Sequence, residues 1–349
     1  MWDMSPDLSR RASRALFRLL SALLAVSCAA ETHTVVGSSY YHTFSRQHPV
    51  LKRIRPGDTV ITKTVDSAGY DYQGIRRTKT HGNPLTGAFY IEDAEAGDAI
   101  LVHLQKVRLN RPTGYSSYRI GLVALTPDYV ENIYPNEYPK HAALKDYANL
   151  VPWELDIAAG LLRLKEPASR SIKLEFPARP MVGCIGVAPA GDFAPTSGPA
   201  GPYGGNLDYN EIREGATVTL PVYQPGALLF LGDGHALQGD GEPVGSGVET
   251  SLDVEFTVEL RKKAGIAEPR VENDEYLIGI GSQPEFSSSL DRGLRIATTE
   301  MIRWLEKDYG LEPWAAHLLI GFQARYDVIT AAGSMGLKIP KRTLPRRVR

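Results

Sequence analysis

The sequence predicts a mainly β protein with a smaller helical part: an α+β chain whose β-sandwich or barrel-like body is closed by a C-terminal pair of helices. Three observations predict it. Several segments alternate apolar and polar residues with period two, as strands with one buried face do. Glycine (33 residues) and proline (24) are plentiful and cut the chain into short stretches. Helical spacing of apolar residues is scarce before about residue 285 and continuous after it.

In chain order, the first element is a leader. Arg10 and Arg11 open a basic stretch that runs to Arg18, and LLSALLAVSCAA (19–30) is apolar and ends in small residues. That order predicts a secretory signal, too short to span a bilayer as an ordinary helix, with an amphipathic N-terminal helix as the alternative. Cleavage after Ala29 or Ala30 fits it, AVSC offers a degenerate lipoprotein box at Cys28, and the arginine pair suits twin-arginine export. The expected location is therefore periplasmic or extracellular, lipid-anchored if Cys28 is modified, and cytoplasmic if the start codon is misassigned. Removing the leader leaves Cys184 as the lone cysteine, which excludes an intrachain disulfide. Its setting, MVGCIGVAP, predicts a packed thiol rather than a nucleophile.

The rest reads as one domain over 31–340, with a β body to about 285, a helical segment over 286–332 and a basic tail over 341–349 that is solvated and frayed. AILVHLQKV (99–107) and GATVTLPVY (215–223) predict buried strands, whereas SIKLEF (171–176) and SLDVEFTVEL (251–260) predict half-buried ones. RPGDT, EAGDA and REGAT stand before strands and predict a recurring turn. Leu290, Leu294, Ala297, Met301, Trp304 and Leu305 predict a helix, with Ser288 and Asp291 as its cap, Gly310 as its stop and Pro313 as the start of a second.

Apolar residues make up 43% and charged residues 23%, and the formal net charge is -1, so no global field draws nucleic acid or an anionic membrane. Phosphate loops, CxxC pairs, HExxH and the G-x-S-x-G elbow are all absent from the sequence. Chemistry is left to acids, amides and imidazoles beside glycine. In LGDGHALQGDGEPVG, Asp233, His235, Asp240 and Glu242 supply hard oxygens and one nitrogen, and glycines at 232, 234, 239 and 241 permit positive φ. That mixture suits zinc or a similar divalent ion, although aspartates capping their own turns explain it as well. In GGNLD, Asn206 and Asp208 share one face of an extended chain, or belong to an Asx-rich loop. His81, before an Asn-Pro turn, reads more readily as a structural hydrogen bonder than as a ligand.

Taken together these loops resemble the acetamidase/formamidase family, from about Ser39 to Pro340. The matching stretches are RPGDTVITKTVD, HGNPLTGAFYIEDAEAGD, GCIGVAPA, GGNLD, LPVYQPGALLFLGDGHALQGDGE and VETSLDVEF. The resemblance implies a β-rich homo-oligomer, a dimer or larger, that hydrolyses small linear amides to ammonia and a carboxylic acid with the help of a divalent metal, zinc or calcium. It also implies site positions at Asn206, Asp208, Asp233, His235, Gln238, Asp240, Glu242 and Glu249, with His81 and Asn83 beside them. On this reading His235 with Asp233 or Asp240 holds the ion, and Asp208 and His81 are further candidate ligands. Glu242 or Glu249 relays a proton, and Asn206 stabilises the oxyanion. The partner is a small amide, with no nucleic acid, and a membrane only through lipidation at Cys28. The rival reading is an exported, non-catalytic β protein that binds calcium or a polar ligand through the same acidic loops.

Overall fold

The computed structural model describes residues 29–130, 150–165, 173–285 and 289–348. Cys28 and the leader to residue 28 lie outside them, as do Ser171, Ile172 and Ser288. Among the described residues, no helix is long and apolar enough to cross a membrane. The described residues from Thr32 onward form one compact unit.

Two large sheets, of nine and eleven strands, carry the body. At the middle of the first lie the strands Ala99–Leu109 and Leu252–Arg261, paired antiparallel along nearly their whole length. Leu252, Val254, Phe256 and Val258 are buried while Asp253, Glu255 and Thr257 between them are partly wet, as their period-two alternation requires. The second sheet centres on Met181–Val187 and Leu229–His235, and every residue of both strands is buried. Side chains of both sheets meet in one core, where Phe89 from the second packs edge-on against Phe256 from the first at 5.4 Å between centroids. Both sheets stay open, so the body is a sandwich and not a barrel.

The recurring turn is present three times. Asp58 N–H donates to Arg55 O, Asp98 N–H to Glu95 O and Ala216 N–H to Arg213 O, each at 3.0 Å, immediately before a strand. The third residue of each turn is Gly57, Gly97 or Gly215, at φ of 94°, 92° and 88°, the geometry that a type II turn reserves for glycine.

Helices Leu290–Tyr309 and Pro313–Gln323 form the expected pair. The first is capped by Ser289, whose side chain accepts from Arg292 N–H, and it stops at Gly310 with φ 65°. Its Ala297, Met301, Trp304 and Leu305 pack on Leu277, Leu337 and Ile339 of the first sheet.

Three expectations are corrected. The helical segment does not extend to residue 332: Arg325–Thr330 and Ser334–Pro340 form a hairpin on the edge of the first sheet. Met335, Leu337 and Ile339 bury one face of it against the helix, and that alternation overrode the helical reading. The basic tail is tied down, because Lys341 and Arg347 both pair with Glu272 and Val348 N–H donates to Asp308 O. Among the described residues the strand predicted at SIKLEF is the short edge strand Glu175–Pro177, exposed at all three residues, since its neighbour is Leu161–Leu164 near the end of the second sheet.

Away from the second sheet, Glu268 and Glu300 lie close together, and burial, then the Glu300 charge, pushes the Glu268 carboxyl up to about 8. The folded state thus keeps a proton that the unfolded chain releases above about pH 4.5, so stability falls as pH rises from there through about 8. Glu268→Gln is expected to flatten this loss, read as the change in urea midpoint between about pH 5 and pH 8.5 for variant and wild type.

Candidate active site

The register of the second sheet assembles the site. His235, at the end of its strand, lies opposite Met181 on one side and Glu249 on the other, and Glu249 in turn lies opposite Tyr115. Cys184 is opposite Gly232 and, across its other edge, opposite Asn206. Residues far apart in sequence are thereby brought to one end of the sheet. A pocket of about 250 Å³ opens there, lined among others by Asn83, Tyr115, Asn206, Asp233, Glu242 and Glu249.

The chain makes room for this cluster at a conformational cost. Asn83, Asp208, Asp233 and Glu242 all adopt positive φ (52°, 45°, 54° and 44°), a region that Asn and Asp tolerate and Glu avoids. Two glycines are required by close approach. A Cβ on Gly183 would sit 2.6 Å from Asp208 Oδ1 and 2.8 Å from Asp233 Oδ2, and one on Gly247 would sit 2.5 Å from His235 Nδ1. Of the glycines beside the histidine, only Gly241 has positive φ. Gly232 and Gly234 are needed for packing instead, against Pro84 O and Leu252, and the left-handed turn falls on Asp233.

His235 is buried to 1% exposure and held from both sides. Its Nδ1 lies 2.7 Å from Gln238 Oε1, and Gln238 Nε2 donates to Asp208 O. A carbonyl oxygen only accepts, so this chain of bonds orients the Gln238 amide with its oxygen toward the ring. That places the proton on Nδ1 and leaves Nε2 to face the carboxylates. Nε2 lies 3.1 Å from Glu249 Oε1 and 3.6 Å from Asp233 Oδ1, outside hydrogen-bond geometry with either. Burial opposes a charge on His235, but the Glu249 and Asp233 carboxylates push its pKa well above the ordinary value. Burial raises the acids too: Glu242 to about 7, Glu249 to about 8, and Asp208 well above the usual range.

The structure thus brings together Asp208, Asp233, His235, Glu242 and Glu249, with ligand atoms of two triads sharing His235 within 4.8 Å of one another. Asn206 joins them: its Oδ1 accepts from Asn83 Nδ2 at 3.1 Å and Cys184 Sγ at 2.7 Å, and its Nδ2 donates to Asp208 Oδ2. Asp240 stands apart, exposed and accepting from Asn210 Nδ2 at 2.7 Å, because the chain turns outward at Gly239. His81 is at the pocket mouth, 2.8 Å from Arg76 Nη2 through its Nε2. Cys184 is the packed thiol expected, fully buried, and burial with the Asp233 and Asp208 charges holds its pKa far above the thiolate range. Sequence reasoning missed Tyr115, Ser117 and Ser246 on the pocket wall. Only the pairing of Tyr115 with Glu249 reveals the first, and no local motif marks it.

Fold and site together define a class: a β-sandwich protein with a buried carboxylate–imidazole cluster opening on a pocket for a small polar molecule. Comparison with known proteins narrows it. The family described as Acetamidase/Formamidase matches residues 194–323, which hold Asn206 through Glu249. A Schizosaccharomyces pombe protein named as a formamidase is 27% identical, over 69% of this chain and 68% of its own. An acetamidase from Yersinia enterocolitica shares the structure with TM-score 0.74 and 26% identity, over 93% of this chain and 96% of its own. An acetamidase/formamidase from Thermoanaerobacter tengcongensis follows with TM-score 0.70 and 26% identity, over 90% and 97%. A gamma lactamase from Delftia acidovorans, at 18% identity, TM-score 0.51 and coverage of 92% and 95%, shares the fold alone. In sequence over residues 194–323 and in structure over most of its length the chain is similar to the acetamidase/formamidase proteins, a likeness that supports an amide-hydrolysing enzyme.

Gly247→Ala is expected to destabilise the protein by about 1–3 kcal/mol, because the new methyl must displace the His235 ring. Urea unfolding measures it, and a change under about 0.5 kcal/mol would mean the ring has room to move.

Proposed function

We propose that this chain is a metal-dependent amidohydrolase that cleaves the C–N bond of small linear amides, formamide- or acetamide-like, to ammonia and a carboxylic acid. One observation carries the metal. Asp208 Oδ1, Asp233 Oδ1, His235 Nε2 and Glu249 Oε2 are buried without a hydrogen-bond partner among the described residues. Each atom left so costs about 1–3 kcal/mol. Among the described residues no Lys or Arg lines the pocket, so a cation from outside would supply the compensating charge.

The residues fit a divalent cation. Asp233, His235 and Glu249 would hold it, with Asp208 from the other triad as a further oxygen ligand. Gln238, by fixing the His235 tautomer, is the positioning partner such a ligand needs. One imidazole among carboxylates favours zinc over calcium, whose sites are built of oxygen. The ion, when bound, acidifies water and polarises the amide carbonyl.

The chain's own groups perform the remaining steps. Glu242, at the pocket wall and half-buried, takes a proton from the attacking water and delivers it to the departing nitrogen, so that ammonia leaves neutral. Asn206 is locked by Asn83 and Cys184 at its oxygen, which turns its amide nitrogen toward the reacting centre. One N–H is used on Asp208 and the second stabilises the oxyanion. The proposal extends to the context: export by the leader over 1–30 and assembly as a homo-oligomer, checked by the N-terminal mass of the secreted protein and by light scattering.

Ammonia release from formamide and acetamide is expected to stop on dialysis against chelator and to return with zinc. A protein that holds the metal yet releases no ammonia from any small amide is a binding protein, and the enzymatic reading fails. Glu242→Gln is expected to keep its metal by elemental analysis and lose about 100-fold or more in kcat. Glu249→Gln is expected to lose metal first. Asn206→Ala is expected to lower kcat about 100-fold with little change in KM.

A further inference from the structure

A second cavity adjoins the catalytic pocket. It is a cleft of about 530 Å³, against about 250 Å³ for the pocket itself, and the two share Ser117 and Ser246 in their walls. The serines are bonded to each other, Ser117 N–H donating to Ser246 Oγ at 2.8 Å, so one hydrogen bond forms the rim between the cavities. Gln238 and Gly247, both against the His235 ring, also line the cleft, which brings it directly alongside the cluster.

The chemistry changes across that rim. The pocket is lined by Asp233, Glu242 and Glu249, whereas among the described residues no Asp, Glu, Lys or Arg lines the cleft. Its wall is mostly apolar, with Trp153, Leu164, Phe176, Leu237 and Val244 among the lining residues. Trp153 Nε1–H is used on Ser116 Oγ at 2.9 Å, so the indole offers the cleft only carbon, with the Phe176 ring beside it at 6.1 Å. An apolar cleft beside a site for a one- or two-carbon amide has no task in hydrolysing acetamide.

We propose that the substrates of this enzyme are primary amides whose acyl group carries an apolar arm, an aryl group or an alkyl chain longer than that of acetamide, and that the arm lies in this cleft. The inference rests on the amidase reading. The departing group is ammonia, whose nitrogen bears no substituent, so an apolar part of the substrate can only be on the acyl side. The carbonyl stays among Asp233, His235 and Glu249, and the arm crosses the Ser117–Ser246 rim toward Leu164 and Trp153. Each methylene moved from water into such a wall strengthens binding about fourfold. Where that gain is realised in the transition state it appears in kcat/KM.

The test uses the metal-loaded full chain with acetamide, hexanamide and phenylacetamide, following ammonia release. In parallel, phenylacetamide binding is measured by calorimetry. Leu164→Trp fills the cleft from a strand that touches none of the catalytic groups, and Phe176→Ala opens its exposed end and serves if the first variant does not fold. The expected result is a kcat/KM for the two longer amides about tenfold or more above that for acetamide. Leu164→Trp should abolish the excess and leave acetamide within about twofold, and Phe176→Ala should reduce the excess alone. A kcat/KM that falls with acyl length, or a variant that slows acetamide and phenylacetamide alike, overturns the inference while the amidase reading stands. If no amide releases ammonia, the amidase reading falls. Calorimetry then decides the cleft alone: phenylacetamide binding lost in Leu164→Trp supports it, and no binding to wild type overturns it.

Discussion

The rest of the site depends on the contact between a buried imidazole and the carboxylates packed against it. Elsewhere in this protein a buried acid has its own arginine: Asp66 meets Arg111 and Glu300 meets Arg270, both pairs nearly sealed from water. Around His235 the acids outnumber the cations, and among the described residues no arginine or lysine lines the pocket. Such an arrangement is unfavourable unless protons or an added cation reduce the repulsion. The raised pKa values of Asp208, Glu242, Glu249 and His235 are the protein's answer with its own atoms. A cation bound among them, as proposed above, would be an answer that also yields chemistry.

A cluster of like charges holds only if the backbone cannot relax away from it, and several distant parts of the chain supply that rigidity. Arg111 spans the site's flank, bonding Asp66, Tyr70 O and Asp71 O, and so sets the loop whose Ala68 N–H reaches Tyr115 Oη. The C-terminal hairpin grips the loop that carries Glu242, through Gly241 N–H to Val328 O and Ala331 N–H to Gly241 O. That hairpin is itself anchored by Lys338, between Glu211 and Asp327, and by the Tyr209 hydroxyl on Asp327. Residues that look like a helix end in sequence therefore buttress the loop that carries Glu242.

The candidate site was legible unevenly. GDGH and GGNLD announced acids beside glycine, and Asp208, Asp233, His235 and Glu242 do converge. Asp240 read as the equal of Asp233 because the two Gly-Asp-Gly units are alike in letters, yet one lies within a strand and the other past its end. Glu249 looked like the start of a strand, and its carboxylate reaches the imidazole only because the register pairs it with His235. The glycines were noticed for backbone freedom, but Gly183 and Gly247 matter because a side chain there would overlap the cluster. Neither could be singled out by spacing, since each acts on a residue from another segment.

Local rules, read from the sequence alone, determined the alternating strands, the three glycine turns, the Gly310 stop and the packed thiol, because each depends on near neighbours along the chain. The motifs' resemblance to the acetamidase/formamidase family pointed to the amide-hydrolysing class. Only the tertiary structure decided which acids face the imidazole, which proton the ring carries, where the hairpin goes and that an apolar cleft adjoins the pocket. Those depend on strand register and on which faces meet across the sandwich, and a shift of one residue in register would turn every one of these side chains to the other face.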